Sequence, residues 1–207
     1  VPTTGDISPC GGLDRLLTEI RACRACADHL PLGPRPVLVA HPKARLLIAG
    51  QAPGTKVHAS GIPWDDASGR RLRRWLGLEA AEFYDARRVA IVPMGFCYPG
   101  KSASGDLPPR PECRALWHDR LFERLPGLKL KVVIGQYALA YHLGGRVRRG
   151  STLTEVVRAW RDFLPGHFVL PHPSPRNELW LRRNPWFEAE VVPVLQRAVH
   201  EVLDEAP

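Results

Sequence analysis

The run Ala44-Arg45-Leu46-Leu47-Ile48-Ala49-Gly50 passes without a break into Gln51-Ala52-Pro53-Gly54, and its reading decides the fold. Leu46 to Ala49 are apolar with no alternation, as in a strand of a sheet covered on both faces. Three further runs share this character: Val89-Ala90-Ile91-Val92-Pro93, Lys131-Val132-Val133-Ile134-Gly135 and His167-Phe168-Val169-Leu170-Pro171. Helical spacing of apolar residues fills the gaps between them. It marks Leu72, Trp75 and Leu76, then Leu116, Trp117, Leu121, Phe122 and Leu125, then Leu139 and Leu143. A capping box from Thr152 to Glu155 opens a helix through Leu153, Val156, Val157 and Trp160. Leu13, Leu16, Leu17 and Ile20 mark a first helix; Phe187, Val191, Val194, Leu195, Ala198 and Val202 mark a last one. Four strands alternating with helices predict an α/β protein, a three-layer α/β/α sandwich around a central four-stranded parallel sheet. A single domain over 1–207 is expected, with 1–12 a loose lead-in and 31–43, which holds four prolines, a connector.

Ligands of such sheets bind at the carboxyl ends of the strands, and every unusual loop here leaves a strand at that end. Gly50-Gln51-Ala52-Pro53-Gly54 offers close backbone approach and free amides for an oxyanion or phosphate. Met94 to Pro111 holds three glycines and four prolines and reads as a long structureless loop, a length that is usually functional or tethered. His172-Pro173-Ser174-Pro175-Arg176-Asn177 is stiffened by its prolines and holds an imidazole, a hydroxyl, a guanidinium and an amide in set places. Between them, Gly61-Ile62-Pro63-Trp64-Asp65-Asp66 leads into an Arg-rich helix. Trp64 reads either as a stacking platform for a base or as a cover for the sheet edge. Gly95-Phe96-Cys97-Tyr98-Pro99-Gly100-Lys101-Ser102 matches a phosphate-loop pattern. Pro99 removes an amide donor, however, and no helix follows Lys101-Ser102, so nucleotide hydrolysis is set aside.

The 29 Lys and Arg against 21 Asp and Glu leave a formal charge of +8, which favours a polyanionic partner, nucleic acid first. The arginine groups Arg70, Arg71, Arg73, Arg74 and Arg146, Arg148, Arg149 read either as phosphate contacts or as a solvated face. No apolar run approaches the ~20 residues of a membrane span. The N-terminal residues lack the apolar core of a signal peptide, so a cytoplasmic monomer is expected, in a compartment where cysteines bind metal more often than they pair. Of five cysteines, Cys23-x2-Cys26 reads as a redox pair or half of a metal site; Cys97 and Cys113 lie at the ends of the long loop, and Cys10 is given no role.

With these residues in place the chain resembles the uracil-DNA glycosylase superfamily, from Cys23 to its end, and most of all its iron–sulfur branch. Gly50-Gln51-Ala52-Pro53-Gly54 is similar to that branch's GEAPG, and Gly61-Ile62-Pro63-Trp64 to its G-x-P-F. His172 to Asn177 is similar to the HPSPRN of the single-strand-selective uracil glycosylases. The resemblance implies a monofunctional DNA glycosylase of base-excision repair that hydrolyses the N-glycosidic bond of deoxyuridine. Hypoxanthine release, or damage binding without turnover, stays open beside it. It implies His172 and the Gln51 and Ala52 amides as donors to the departing base, Trp64 as its platform, and Gly54 and Asn177 at the base. Ser174, Pro175 and Arg176 would meet DNA, Arg176 as the wedge that fills the gap left by the flipped base. It also implies that Cys23, Cys26, Cys97 and Cys113 hold a [4Fe–4S] cluster, with zinc on the same four thiols, or four unrelated thiols, as the other readings. Three departures concern base preference and water. Ala52 stands where the best-known branch has a water-activating Asp, and Gly54 where it has the tyrosine that excludes thymine. No counterpart of the uracil-reading asparagine lies in Ile91 to Phe96. Asp65 or Asp66 is the candidate replacement carboxylate, with helix capping as the alternative for both.

Overall fold

The computed structural model describes residues 9–103 and 105–204, with 9–11 described by backbone alone. Its centre is a sheet of β1 (Leu46–Ala49), β2 (Val89–Ile91), β5 (Leu130–Ile134) and β6 (His167–Leu170) in the order β2-β1-β5-β6. All three ladders are parallel. Every residue of β1 and β2 is buried, so both faces of the sheet are covered, as the missing alternation requires. The chain leaves β1 towards β2 and later returns to the other side of β1 to lay down β5 and β6. The crevice outside the carboxyl ends of β1 and β5 is therefore the topological switch point, where open α/β sheets bind ligands. Connector residues cover the β2 edge: Val39 and Ile91 exchange amide–carbonyl bonds of 2.9 and 2.7 Å, and the Val37 amide donates to Phe96 O at 2.7 Å.

Helices α1 (Pro9–Arg21), α2 (Thr55–Ser60) and α3 (Ala67–Leu76) lie on the first half of the chain. Helix α1 begins at Pro9, inside the stretch expected as a lead-in. Proline suits a first helical turn because its missing N–H would have no partner there. Residues 1–8 and the Cys10 side chain lie outside the described residues. The four predicted α1 residues are buried in one core with the sheet, and the Thr152–Glu155 capping box is present on Leu153–Arg158.

Two helical stripes differ from the sequence expectation for a shared reason. The helix Pro111–Phe122 contains a π-helical turn over Arg114–His118, which adds a residue and rotates the face that follows. Leu116, expected inside, is 44% exposed, while His118 is fully buried. A second π turn, Phe187–Val191, precedes the C-terminal helix Val192–Asp204. There the buried row is the predicted Leu195 with Val199 and Leu203, while the predicted Val194, Ala198 and Val202 pack on its flank.

The loop after β2 is not structureless. It folds into an antiparallel hairpin of β3 (Lys101–Ser102) and β4 (Gly105–Asp106), with Lys101 opposite Asp106. The Leu107 amide donates to Gly100 O at 2.9 Å, and Gln51 Nε2 donates to Leu107 O at 3.0 Å. These bonds tie the hairpin to the end of β1.

Candidate active site

A cavity of about 280 Å³ opens at the switch point. Gln51, Ala52 and Gly54 line it from the β1 exit, and His172, Ser174, Pro175 and Arg176 from the β6 exit. Trp64 and Asp66 line it from the segment before α3. Buried Val37, Ile91 and Pro93 form its inner wall. Nine of the eleven site residues read from the strand exits and the Trp64 segment thus meet in one place, all but Asp65 and Asn177.

Trp64 is held in a left-handed backbone conformation (φ 59°), which a non-glycine residue adopts only under constraint. Two glycines supply that constraint. A Cβ on Gly69 would lie 1.7 Å from Trp64 O, and one on Gly50 2.9 Å from Trp64 Cζ2, so only glycine lets the backbone and indole close in. The indole then faces the His172 ring, with centroids 5.7 Å apart and planes at 34°. Asp66 ends the segment as the N-cap of α3, its Oδ1 accepting the Gly69 amide at 2.8 Å. Its neighbour Asp65 is exposed and does not line the cavity, because adjacent extended residues point apart.

The turn bearing His172 is locked from both sides. Asn177, expected at the base, instead turns inward and donates from Nδ2 to His172 O at 2.7 Å; it does not line the cavity. Ser174 Oγ accepts the Arg176 amide at 3.2 Å. Arg71 of α3, read from sequence as either a phosphate contact or part of a solvated face, reaches across to the turn. Its Nη1 donates to Ser174 O at 3.3 Å and its Nη2 to Glu178 Oε2 at 2.8 Å. Arg73 is likewise engaged, donating to Tyr84 Oη at 3.2 Å, and Arg146 donates to Asp162 O at 2.7 Å. Arg70, Arg148 and Arg149 are exposed. Burial holds the His172 imidazole below its ordinary pKa; the Asp66 and Asp106 carboxylates oppose this, and Arg176 adds to it. A neutral ring that donates one hydrogen bond is the form this environment favours.

Sequence reasoning missed the hairpin's contribution. Lys101 and Asp106 both line the cavity, as directly opposed residues of an antiparallel pair share one face. The Arg176 guanidinium packs on this hairpin, 3.3 Å from where a Gly105 Cβ would stand. Gly100, with φ 106°, and Gly105, with φ 142°, are local signals that the loop turns back on itself here.

Cys23, Cys26, Cys97 and Cys113 line a second, small cavity with Phe96, Arg110 and Trp117, and all four are free thiols. The Phe96 amide donates to Cys113 Sγ at 3.5 Å. Burial first, and the neighbouring cysteines after it, push Cys97 up to about 11 and Cys113 up to about 12. Such a set of thiols sheds its protons only for a bound cation. Among the described residues no group of three or more His, Cys, Asp or Glu side chains is arranged to hold a metal ion. The donor set is nevertheless all sulfur, as a [4Fe–4S] cluster requires. Also among the described residues, no helix is long and apolar enough to cross a membrane.

A family model of the uracil DNA glycosylase superfamily, whose members are DNA glycosylases, matches residues 38–196. That span contains the whole sheet, the turn of His172 and every residue of the cavity lining but Val37. By fold, by the placement of its site and by this match, the chain belongs to the uracil DNA glycosylase superfamily.

Proposed function

We propose that the protein is a monofunctional DNA glycosylase that hydrolyses the N-glycosidic bond of deoxyuridine in DNA. The observation that carries this is the His172 imidazole, its pKa lowered chiefly by burial, facing Trp64 across a cavity at the sheet's switch point. When the bond between C1′ and the base breaks, its electron pair leaves with uracil, and negative charge gathers on O2. A neutral His172 donates a hydrogen bond to that oxygen, helped by the Gln51 and Ala52 amides. Preorganised donors of this kind are worth ~3 kcal/mol each in the transition state. The flipped base stacks on Trp64, and the Arg176 side chain at the cavity mouth fills the gap in the duplex. Asp66 keeps one oxygen on the α3 cap and has the other for the attacking water. Water adds to C1′ and passes its proton to the second Asp66 oxygen, which returns it through solvent to the uracil anion; an abasic site and neutral uracil are left.

The same chain is proposed to carry a [4Fe–4S] cluster on Cys23, Cys26, Cys97 and Cys113. A lone zinc ion draws four sulfurs to ~2.3 Å of one point. What supports the cluster reading is that the four side chains lining this one small cavity with metal-binding chemistry are all thiols. The cluster would be structural, tying both ends of the hairpin loop to the segment after α1. Anaerobically purified protein should be brown and hold about four irons per chain; one zinc and no colour would reject the cluster.

The activity is tested on single-stranded and duplex oligonucleotides carrying uracil, hypoxanthine or thymine. Strand cleavage after mild alkali, strongest for uracil, is the expected result. Ile91 and Pro93 of the inner wall offer no side-chain amide to read uracil, so a hypoxanthine preference would correct the substrate while keeping the reaction. Binding with no abasic product would make the protein a damage binder, and nicking without alkali would overturn the monofunctional assignment. Arg176→Ala should slow action on duplex more than on single strands; equal loss on both would remove the wedge role.

A further inference from the structure

Among the described residues two carboxylates line the cavity, Asp66 and Asp106, and they differ in what they are free to do. Asp66 is committed through Oδ1 to the Gly69 amide at 2.8 Å. The Asp106 carboxylate makes no hydrogen bond or ion pair with any described residue. Its place is nonetheless fixed. The hairpin register sets it opposite Lys101 with both side chains on the cavity face, and the next residue, Leu107, is gripped by Gln51 Nε2 at 3.0 Å. A residue of the site itself therefore holds Asp106 in position. The imidazole of His172 lies within reach of the Asp106 charge, as it does of Asp66.

Asp106 is also exposed, which puts it at the mouth of the cavity rather than against the inner wall of Val37, Ile91 and Pro93. A base seated on Trp64 fills the inner part, so the group at the mouth is the sugar. A carboxylate fixed at this place acts most strongly on a positive charge that develops next to it in the transition state. Glycosidic cleavage supplies that charge, since the electron pair departs with the base and leaves C1′ and the ring oxygen sharing a cation. We propose that Asp106 is a catalytic carboxylate of this site, facing the deoxyribose and stabilising the positive charge that develops on it as the bond to the base breaks. It forms no bond in the step and exchanges no proton. Lys101, opposite it, meets the flanking phosphate. The role rests on the glycosylase function proposed above.

The test uses the full chain and two abasic-site analogues in the same oligonucleotide: a pyrrolidine, whose ring amine is cationic, and a neutral tetrahydrofuran. Wild type should bind the pyrrolidine DNA at least about tenfold tighter, as it mimics the charge of the transition state. Asp106→Asn should lose about tenfold of that preference with tetrahydrofuran affinity unchanged, and Asp106→Glu should recover part of it. Lys101→Ala should instead weaken both analogues alike and flatten the salt dependence. An unchanged preference in Asp106→Asn, with wild type still selecting the cation, overturns the role of Asp106 alone. No preference in wild type overturns the glycosylase chemistry and Asp106 with it.

Discussion

Replacing Arg71 by Met removes the strut between α3 and the turn that bears His172. The guanidinium donates to Glu178 Oε2 at 2.8 Å and to Ser174 O at 3.3 Å, with the Arg71 side chain 18% exposed and that of Glu178 49% exposed. With one partner half in water, the ion pair is worth at most ~1 kcal/mol after screening. The bond to the Ser174 carbonyl adds about 1 kcal/mol. Methionine keeps much of the apolar stem, so the expected loss is about 1–2 kcal/mol, or a Tm lower by about 2–8 °C for a chain of this size. The effect on rate should be larger. A catalytic group displaced by about 1 Å costs on the order of 10²-fold, and this strut is one of two that fix the turn, Asn177 being the other. Single-turnover cleavage of uracil DNA by Arg71→Met should therefore fall by about 10–100-fold, with DNA affinity little changed. Glu178→Gln should lose the ion-pair part alone, and the double variant should show a coupling of about 0.5–1 kcal/mol. A variant that melts lower yet cleaves at the wild-type rate would reduce Arg71 to packing. A loss of affinity with a salt slope about one unit shallower would make it a phosphate contact and refute the strut.

Three further outcomes follow from burial and close packing. The neutral His172 is the active donor and its pKa lies below the ordinary value, so cleavage should hold a plateau through neutral pH and fall only below ~6.5. Asp66→Asn, which removes a charge that raises it, should move that acid limb lower; a limb above the ordinary histidine value contradicts the assignment. Burial holds His142 at about 3 and His167 at about 4 in the folded chain. The unfolded chain takes up these protons near pH ~6.5, so it binds more of them through this window, and stability present in full above it is lost as pH falls towards ~3. Urea midpoints between pH 8 and 4 should show this slope, and His142→Phe should flatten it; an unchanged slope would place the acid sensitivity elsewhere. Gly69→Ala puts a Cβ 1.7 Å from Trp64 O, an overlap with backbone that no side-chain motion relieves. It should cost about 3 kcal/mol or more by denaturant titration, and a variant as stable as wild type would deny the Trp64 clamp.

The sheet was legible because strands buried on both faces carry an unbroken apolar run, and all four runs are strands of the parallel sheet. Periodicity misled at Leu116 and along Val194, Ala198 and Val202, because a π turn adds a residue that no 3.6-residue pattern reports. In the site, strand exit was enough to bring Gln51 and His172 to one cavity, while Trp64 was named by residue type and the choice of Asp66 over Asp65 came only with the structure. Where an amide or guanidinium turns was not legible. Asn177 and Arg71 could each serve DNA by composition, yet both spend their donors on the turn itself. Asp106 was hidden for another reason, since a loop read as structureless gives its carboxylates no direction, and only the hairpin register does.

The most direct test of the central claim is single-turnover release of uracil from a single-stranded oligonucleotide by wild type and by His172→Ala, with DNA affinity measured beside it. Wild type should leave an alkali-labile abasic site, and His172→Ala should do so ~10²–10³-fold more slowly while binding the DNA nearly as well. Cleavage by His172→Ala at the wild-type rate, or uracil DNA left intact by wild type, would contradict it.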